Sequence, residues 1–265
     1  MKRLLAVYLC CASLLCLAAC GGAENVAYYV TREYREYDTG DINLTTYEYN
    51  DAWDVQFVQT YVNGAVSSGV EYSYNEDSTV VTIATTSATY DPTLTEIHQT
   101  FDDSGRLVRV ESYSGGTLEG TSEYTYDAEG WESKVVTTDS DGNVVTTLLY
   151  EYDKKGNLVS YLMKTPVYSS KNEYSYDRKN RLVTMEVFHS DELVSRIEYT
   201  WDGNTQYGSV YTMGEQASRK TVTVYDDAGN VLVEENYDLL GTLLYRTCYE
   251  YTGTDGSVSS GIPKS

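Results

Sequence analysis

The feature that most constrains this chain is a repeat of nearly constant period. An aromatic residue, a polar residue, a second aromatic residue and then Asp or Asn recur along the chain, as in YEYD at Tyr150–Asp153. The position after the last aromatic residue recurs every 24 to 27 residues, at Asn50, Asn75, Asp102, Asp127, Asp153, Asp177, Asp202, Asp226 and Thr252. A fixed period in this range indicates a repeat architecture.

Each repeat unit contains the signals of two turns. In four units the Asp is followed three residues later by Gly: Asp102 and Gly105, Asp127 and Gly130, Asp153 and Gly156, Asp226 and Gly229. Asp accepts backbone N–H bonds at the start of a turn, and Gly adopts the left-handed conformation that closes it. After Asp177 this place is taken by Asn180, which also tolerates positive φ. A second turn signal lies near the middle of most units, as at Asn63-Gly64.

These signals predict one all-β domain over residues 26–252, followed by a C-terminal tail at 253–265. Two strands of about nine residues per unit make about eighteen antiparallel strands in up-and-down order. We expect an antiparallel meander of about nine two-strand repeats that forms one long, twisted and curled sheet. A closed β-barrel is the alternative.

The repeat resembles that of the YD-repeat (Rhs-type) family of bacterial surface and toxin-delivery proteins. The resemblance covers about residues 47–252 and is carried most clearly by four stretches: YEYDKKGNL at 150–158, YSYDRKNRL at 174–182, FDDSGRL at 101–107 and YDDAGNVL at 225–232. It implies a long β-sheet that curls, in the largest members into a hollow shell around a C-terminal toxin. Only a short segment follows Tyr251 in this sequence, and about nine units are too few for a large shell, so we do not expect this chain to enclose a toxin as the largest members do.

The N-terminal residues 1–19 are predicted to be a signal peptide. Lys2 and Arg3 precede an apolar run that is short for a membrane span. The run ends in LAAC, which resembles the bacterial lipobox and implies that Cys20 is lipidated after cleavage before it. Two or three acyl chains hold a protein firmly on a bilayer. Residues 20–25 would then be a lipidated cysteine and a short tether.

Charge and cysteine content restrict the partners of the mature chain. Without Lys2 and Arg3 its formal charge is 17 − 40 = −23, which argues against nucleic acid and against anionic lipid surfaces as partners, because binding to either needs a basic patch. Four of the five cysteines lie in the first twenty residues, so Cys248 has no intramolecular disulfide partner. We expect Cys248 to be a small residue packed in a strand.

No motif of a catalytic, metal or cofactor site stands out, and we expect a protein that is not an enzyme. The chain has two histidines, His98 and His189, and no Ser lies in the glycine pattern of a hydrolase nucleophile. Asp139–Asn143 has alternating acids but lacks the spacing of a calcium loop, so we interpret it as a hairpin turn. The expectation is therefore no catalytic residue, no metal and no cofactor.

The aromatic stripe supports two interpretations. Tyrosines two residues apart share one face of a strand, where they can pack on each other or present a platform for sugar rings or peptides. Trp131 and Trp201 lie at or beside turns and are the candidate ligand-binding residues. The sequence thus predicts an exported lipoprotein, anchored by Cys20 to the outer leaflet of the plasma membrane or to the outer membrane. It would bind or scaffold glycan or protein ligands; the alternatives are a secreted hydrolase-like enzyme or a truncated relative of a toxin-carrying YD-repeat shell.

Overall fold

The computed structural model describes residues 26–87, 93–212 and 217–262. The predicted signal peptide, Cys20 and the tether lie outside these residues. The described residues form nineteen strands: β1 Tyr28–Tyr37, β2 Ile42–Tyr49, β3 Val55–Val62, β4 Ala65–Tyr74, β5 Val80–Ser87, β6 Thr93–Phe101, β7 Leu107–Ser114, β8 Thr117–Tyr126, β9 Glu132–Asp139, β10 Val144–Tyr152, β11 Leu158–Lys164, β12 Ser169–Tyr176, β13 Leu182–His189, β14 Glu192–Asp202, β15 Thr205–Thr212, β16 Ala217–Tyr225, β17 Val231–Tyr237, β18 Leu243–Gly253 and β19 Val258–Ser260. No helix among these residues is long and apolar enough to cross a membrane.

Strands β1 to β18 close into an antiparallel barrel. Each strand pairs with the next along the chain, and β1 also pairs with β18, from Tyr28 opposite Gly253 to Tyr37 opposite Tyr245. The expectation of an open, curled sheet is therefore wrong, and the closed barrel that the repeat pattern left as the alternative is the observed fold. The β1–β18 pairing joins strands from opposite ends of the chain, whereas the repeat pattern specifies only neighbouring strands. The short strand β19, within the predicted tail, pairs with the end of β18.

The turns after even-numbered strands have the geometry that the repeat predicts. In the turn at 153–157, Asp153 Oδ1 accepts the backbone N–H groups of Lys155 and Asn157, at 2.8 and 3.0 Å. Gly156 has φ = 86°, and Asn180 at the equivalent position has φ = 67°. The same turn recurs at 102–106, 127–131, 177–181 and 226–230. These turns form one end of the barrel, which we call the YD rim.

The second set of turns forms the opposite rim. The predicted hairpin at Asp139–Asn143 is present there, with the backbone N–H of Asp139 donating to the carbonyl oxygen of Asn143 at 2.9 Å. Both chain ends of the barrel domain are at the YD rim, since Thr254 N donates to Ala27 O at 2.9 Å just before β1 begins. Strand β1 therefore begins at the YD rim and runs towards the opposite rim.

The strand register separates the barrel wall into two faces of different chemistry. Tyr72 pairs with Ile83, Val81 with Ile97 and Tyr150 with Tyr161, so the motif tyrosines share one face all the way round. This face contains the packed cluster of Val58, Tyr72 and Val81, which are 7, 4 and 1% exposed. The other face holds ion pairs such as Arg109–Glu111 and Arg196–Glu198.

The tyrosine face is the inner side of the barrel. In mid-strand, exposed side chains lie on the charged face, as at Glu71, Glu123, Lys134 and Glu151. On the tyrosine face, by contrast, side chains of distant strands come close together. Burial is the largest cause of the raised pKa of Tyr199 in β14, and Glu234 of β17 also contributes, although three strand steps separate the two residues. Side chains converge in this way on the concave side of a curved sheet. Barrels of sixteen to eighteen strands leave an aqueous lumen, so these tyrosines line a hollow interior.

Candidate functional site: the tyrosine-lined inner face

A recurrent side-chain hydrogen bond holds the second aromatic residue of the motif in place. Tyr74 Oη donates to the carbonyl oxygen of Val55 at 2.7 Å, in the preceding strand. Trp201 occupies the same motif position, and its Nε1–H donates to Leu182 O at 2.9 Å. Equivalent bonds join Tyr49 to Val30, Tyr126 to Leu107 and Tyr176 to Leu158. The polar atoms of these rings are thus bonded to the backbone. The ring faces are the part of these side chains that remains available to contact other groups.

Burial raises the pKa of several inner tyrosines further above neutral pH. It raises the pKa of Tyr199 and of Tyr225 to about 12 in each case, with nearby charges adding to the effect. The pKa values of Tyr74 and Tyr249 are also raised, mainly by burial. At neutral pH the inner face therefore presents neutral phenol rings. Hydroxyl pairs lie between them, such as Ser122 with Thr137 at 2.9 Å. Such a surface can stack on ring faces and exchange hydrogen bonds with hydroxyl groups.

The inner charges concentrate at the closing seam, where β18 pairs with β1 on one side and with β17 on the other. Arg35 lies 3.2 Å from Glu33 and donates from Nε to Thr247 Oγ1 at 3.0 Å. Across β18, Tyr249 Oη donates to Glu234 Oε2 at 2.9 Å. Burial raises the pKa of Glu33, Arg35 opposes this rise and Glu234 adds to it. The seam thus places two carboxylates and one guanidinium on an otherwise aromatic and hydroxyl-rich wall.

A third inner carboxylate stands apart from the seam. Glu132, at the start of β9, has its pKa raised by burial, while a hydrogen bond with Tyr150 opposes the rise. Sequence analysis did not single out Glu33, Arg35, Glu234 or Glu132. The seam charges could have been found from strand phase, because Glu33 and Arg35 stand four and two positions before Tyr37, on its face of β1.

The structure places both candidate tryptophans at the YD rim, half-buried. Trp131 packs on Tyr152 with ring centroids 5.3 Å apart and lies against Gly156, where an added Cβ would be 3.0 Å from its ring. Trp201 packs on Tyr225 at 5.4 Å. The third tryptophan, Trp53, lies at the same rim and stacks on Tyr29 at 4.7 Å. All three rings contact neighbouring repeats, and the ligand-binding role of Trp131 and Trp201 stays a prediction.

The outer face has a groove that sequence analysis missed. It has a volume of about 630 Å³ and lies beside the β11–β12 turn, with Leu149 and Leu162 as apolar lining and Lys164 and Asp191 as charged lining. Val167, in the turn above it, is 94% exposed. Neither histidine is among the residues that line this groove. His98 Nε2 is 3.5 Å from Glu96 Oε2 on the outer face, and the His189 ring packs on Tyr168 at the opposite rim.

The chemistry available to the barrel is that of non-covalent recognition. Within the ranges that the structure describes, no three His, Cys, Asp or Glu side chains come together as a metal site. Cys248 is buried at the seam, and burial raises the pKa of its thiol, which disfavours the reactive thiolate. What the inner face offers is a large area of neutral rings with hydroxyl and amide groups between them.

Comparison with known structures finds similar chains at low sequence identity. A porin-like protein from Bacteroides uniformis is 11% identical, with 84% of this chain and 97% of that chain covered and a TM-score of 0.49. TcdB2–TccC3 without its hypervariable C-terminal region is 11% identical, with 87% of this chain but 16% of that chain covered and a TM-score of 0.28. A protein of unknown function from Bacteroides fragilis is 15% identical, with 57% of this chain and 87% of that chain covered and a TM-score of 0.18.

Comparison with protein families gives one match, and no curated protein matches the chain. The model of a family described as "Uncharacterised protein" matches residues 63–221, from the β3–β4 turn into β16. This span is more than half of the chain, and the chain therefore belongs to that family.

Proposed function

We propose that this chain is a bacterial cell-envelope lipoprotein whose barrel binds a ligand on its tyrosine-lined inner face. The observation that carries the proposal is the closed wall with neutral aromatic rings and hydroxyl groups inside and charges outside. Sugar rings stack on aromatic faces and exchange hydrogen bonds with hydroxyl groups, so a glycan is the ligand class that this surface fits best. A peptide with aromatic side chains is the second class.

The charged side chains of the outer face favour a barrel that is surrounded by water beside the membrane. Charged side chains occupy the middle of its strands, among them Arg109, Lys134, Arg196 and Lys220. A lipid-facing Arg or Lys at the bilayer midplane costs about 2–4 kcal/mol, and several such residues would make embedding in the bilayer unfavourable. Attachment would then depend on the acylated Cys20, and the predicted LAAC motif supplies that anchor.

The closure of the barrel wall favours a second candidate function, that of a container. A small relative of the hollow YD-repeat shell would use the interior as a container, and the closed wall agrees with such a use better than an open sheet would. A container encloses cargo without depending on a few side chains, whereas a binding protein loses affinity when the rings that contact its ligand are removed. The two functions can therefore be separated by substitution.

Titration of envelope-derived oligosaccharides, monitored by intrinsic fluorescence, tests the binding function. We expect saturable binding that weakens at least about tenfold when an inner contact ring is removed, as hot-spot side chains commonly cost over 1 kcal/mol. The variants are Trp131→Ala, Trp201→Ala and the mid-strand Tyr174→Ala. The matched control is Tyr207→Ala, a tyrosine on the outer face that is 45% exposed. Equal affinities in the wild type and all four variants would contradict an inner binding surface and favour the container.

The anchor is tested by Cys20→Ser. We expect the substituted chain to leave the detergent phase in a phase-partitioning experiment, because the thiol is the acceptor of the lipid. Equal partitioning of the wild type and the variant would contradict the lipoprotein assignment while leaving the binding surface in place.

A further inference from the structure

Two turns of the YD rim carry a concentrated set of positive charges. Lys154 and Lys155 lie in the turn after β10, and Arg178 and Lys179 lie in the turn after β12; all four are exposed. We call these four side chains the basic patch. The two turns, residues 153–157 and 177–181, contain five Lys or Arg and two Asp, a local charge of 5 − 2 = +3 in a chain whose mature form carries −23.

Contacts between the two turns hold the basic patch together. Asn157 Nδ2 donates to Asn180 Oδ1 at 2.6 Å, and Asn180 Nδ2 donates to Asn157 Oδ1 at 2.7 Å. The acidic groups of the same turns are occupied locally: Asp153 accepts from Asn157, and Asp177 pairs with Arg181 at 2.7 Å. The four cations therefore stand on a fixed platform whose carboxylates are engaged by neighbouring groups.

The same two positions in the other YD-rim turns are acidic or neutral. They are occupied by Asp51 and Ala52, Glu76 and Asp77, Asp103 and Ser104, Ala128 and Glu129, Asp227 and Ala228, and Thr254 and Asp255. The turn geometry does not require basic residues at these positions, since Asp226 closes an equivalent turn around Asp227 and Ala228. The positive charge of the basic patch thus has no role in building the turn.

The basic patch lies across the YD rim from the N-terminus of the barrel. Strand β1 begins at this rim, and β10 is nine strands away in a closed ring of eighteen. Strands spaced about 4.8 Å apart make a ring of eighteen roughly 30 Å across. A tether from Cys20 to Val26 spans at most about 20 Å. Lipid on Cys20 would therefore keep the β1 side of the YD rim near the bilayer but leave the far side free to tilt away.

We propose that the basic patch docks on anionic phospholipid headgroups and, with the lipid on Cys20, keeps the patch side of the YD rim at the membrane. This inference rests on the proposed lipid anchor. Each Lys or Arg near an anionic surface contributes about 1 kcal/mol, and one lipid attachment combined with a basic cluster is an established physical route to stable membrane contact. The opposite rim, with the outer groove near Lys164 and Asp191, then faces away from the bilayer.

Native tryptophans allow a direct test of this orientation. Trp131 lies against Gly156, and the Arg181 guanidinium is 5.4 Å from the Trp201 ring, so both report on the patch side. Trp53 stacks on Tyr29 near the anchor and is removed by Trp53→Phe. The full lipidated chain is incorporated into phosphatidylcholine vesicles with or without phosphatidylglycerol, each with dansyl-labelled lipid as acceptor. We expect energy transfer to increase about twofold or more with phosphatidylglycerol, and the increase to disappear in high salt because screening shortens the electrostatic range.

Two matched sets of substitutions distinguish the effect of the basic patch on energy transfer from the effect of the net charge. The first combines Lys154→Gln, Lys155→Gln, Arg178→Gln and Lys179→Gln and should lose the increase. The second combines Arg32→Gln, Lys134→Gln, Arg219→Gln and Lys220→Gln, changes the net charge equally at exposed sites outside the patch, and should keep it. Equal transfer in both vesicle types, or an increase that survives the first set, would overturn the proposal.

Two further outcomes are distinguishable. A shift of tryptophan emission with heparin but not with phosphatidylglycerol would assign the patch to a soluble polyanion and overturn membrane docking. A chain that floats with neither vesicle type in physiological salt contradicts the lipid anchor on Cys20. In that case the patch is judged by flotation with phosphatidylglycerol vesicles at low salt, which the first set of variants must abolish if docking is correct.

Discussion

The turns of the YD rim and the closing seam are built on opposite principles. A YD-rim turn is made within five residues, such as 153–157, by one carboxylate and one left-handed residue. The seam joins β1 to β18, and its inner side chains Arg35 and Thr247 are separated by 212 residues in sequence. Local turns shape each hairpin, whereas the seam decides whether the hairpins make a sheet or a barrel. The two regions should therefore respond differently to disruption.

Removal of the seam should have the largest effect. A chain that ends after Trp201 lacks β15–β19, exposes two strand edges and opens the inner face to water. We expect loss of cooperative thermal unfolding and of most β-type circular dichroism. A circular permutant that opens at Asn63-Gly64 and joins residue 262 to residue 26 keeps every strand pair and should fold. A truncated chain that melts like the full barrel would show that closure contributes little to stability.

Within the seam, Arg35→Ala should destabilise the barrel more than the loss of an outer arginine. The change leaves Glu33 without its ion pair and Thr247, which is 0% exposed, without a hydrogen bond. Because Arg35 is partly exposed, we expect a loss of about 1–2 kcal/mol in urea unfolding. The matched change Arg196→Ala removes exposed pairs on the outer face and should cost less than about 0.5 kcal/mol.

Labelling of Cys248 gives an independent measure of seam opening. This thiol is 1% exposed in β18, opposite Tyr34 of β1, and burial raises its pKa. We expect slow labelling by a thiol reagent in the wild type and faster labelling in Arg35→Ala, because local opening exposes it. Faster labelling in Arg196→Ala than in Arg35→Ala would contradict a special role of the seam.

At the YD rim, two glycine substitutions separate backbone strain from side-chain contact. Gly156 and Gly229 both have φ = 86°, so alanine at either position should cost about 1–2 kcal/mol. A Cβ at Gly156 would also lie 3.0 Å from the Trp131 ring, whereas nothing lies within 4 Å at Gly229. We expect Gly156→Ala to lower the melting temperature more and to change tryptophan emission. Identical effects of the two would show that the Trp131 contact is not tight.

The smallest expected effects are the pH dependences, which have opposite signs in the two regions. Burial raises the pKa of Glu33 above its unfolded value, so its carboxyl favours folding most at low pH, and this contribution is lost as pH rises through the folded pKa. The melting temperature of Glu33→Gln relative to the wild type should therefore rise between about pH 4 and pH 7.

Asp177 supplies the contrasting case at the YD rim. Hydrogen bonds from the backbone and side chain of Arg181 lower its pKa, so its stabilisation is present above the unfolded pKa of 3.8 and is lost as pH falls through the folded value. Asp177→Asn should be less stable than the wild type at neutral pH, and the difference should shrink in acid. The same sign of pH dependence in the Glu33 and Asp177 variants would contradict this assignment of burial and hydrogen bonding.

What could be predicted from the sequence follows the same division. The Asp153 and Gly156 turn, its Asn180 variant and the sharing of one face by the tyrosines follow from spacing, because each depends on residues close in the chain. Closure could not be predicted, because the repeat is equally compatible with an open sheet and no local signal marks β1 as the partner of β18. The tryptophans were correctly placed near turns, whereas the seam charges were missed because they break the aromatic pattern without forming a motif.

The fact that the wall closes in antiparallel order has a consequence for how such proteins can vary. A ring of alternating up and down strands returns to its starting direction only after an even number of steps, so a single added strand cannot be accommodated. One repeat unit contributes two strands, about 9.6 Å of circumference or about 3 Å of diameter. Relatives with eight or ten units would have bores that differ by this fixed increment. Duplication or loss of a unit would thus change the width of the barrel interior in discrete steps.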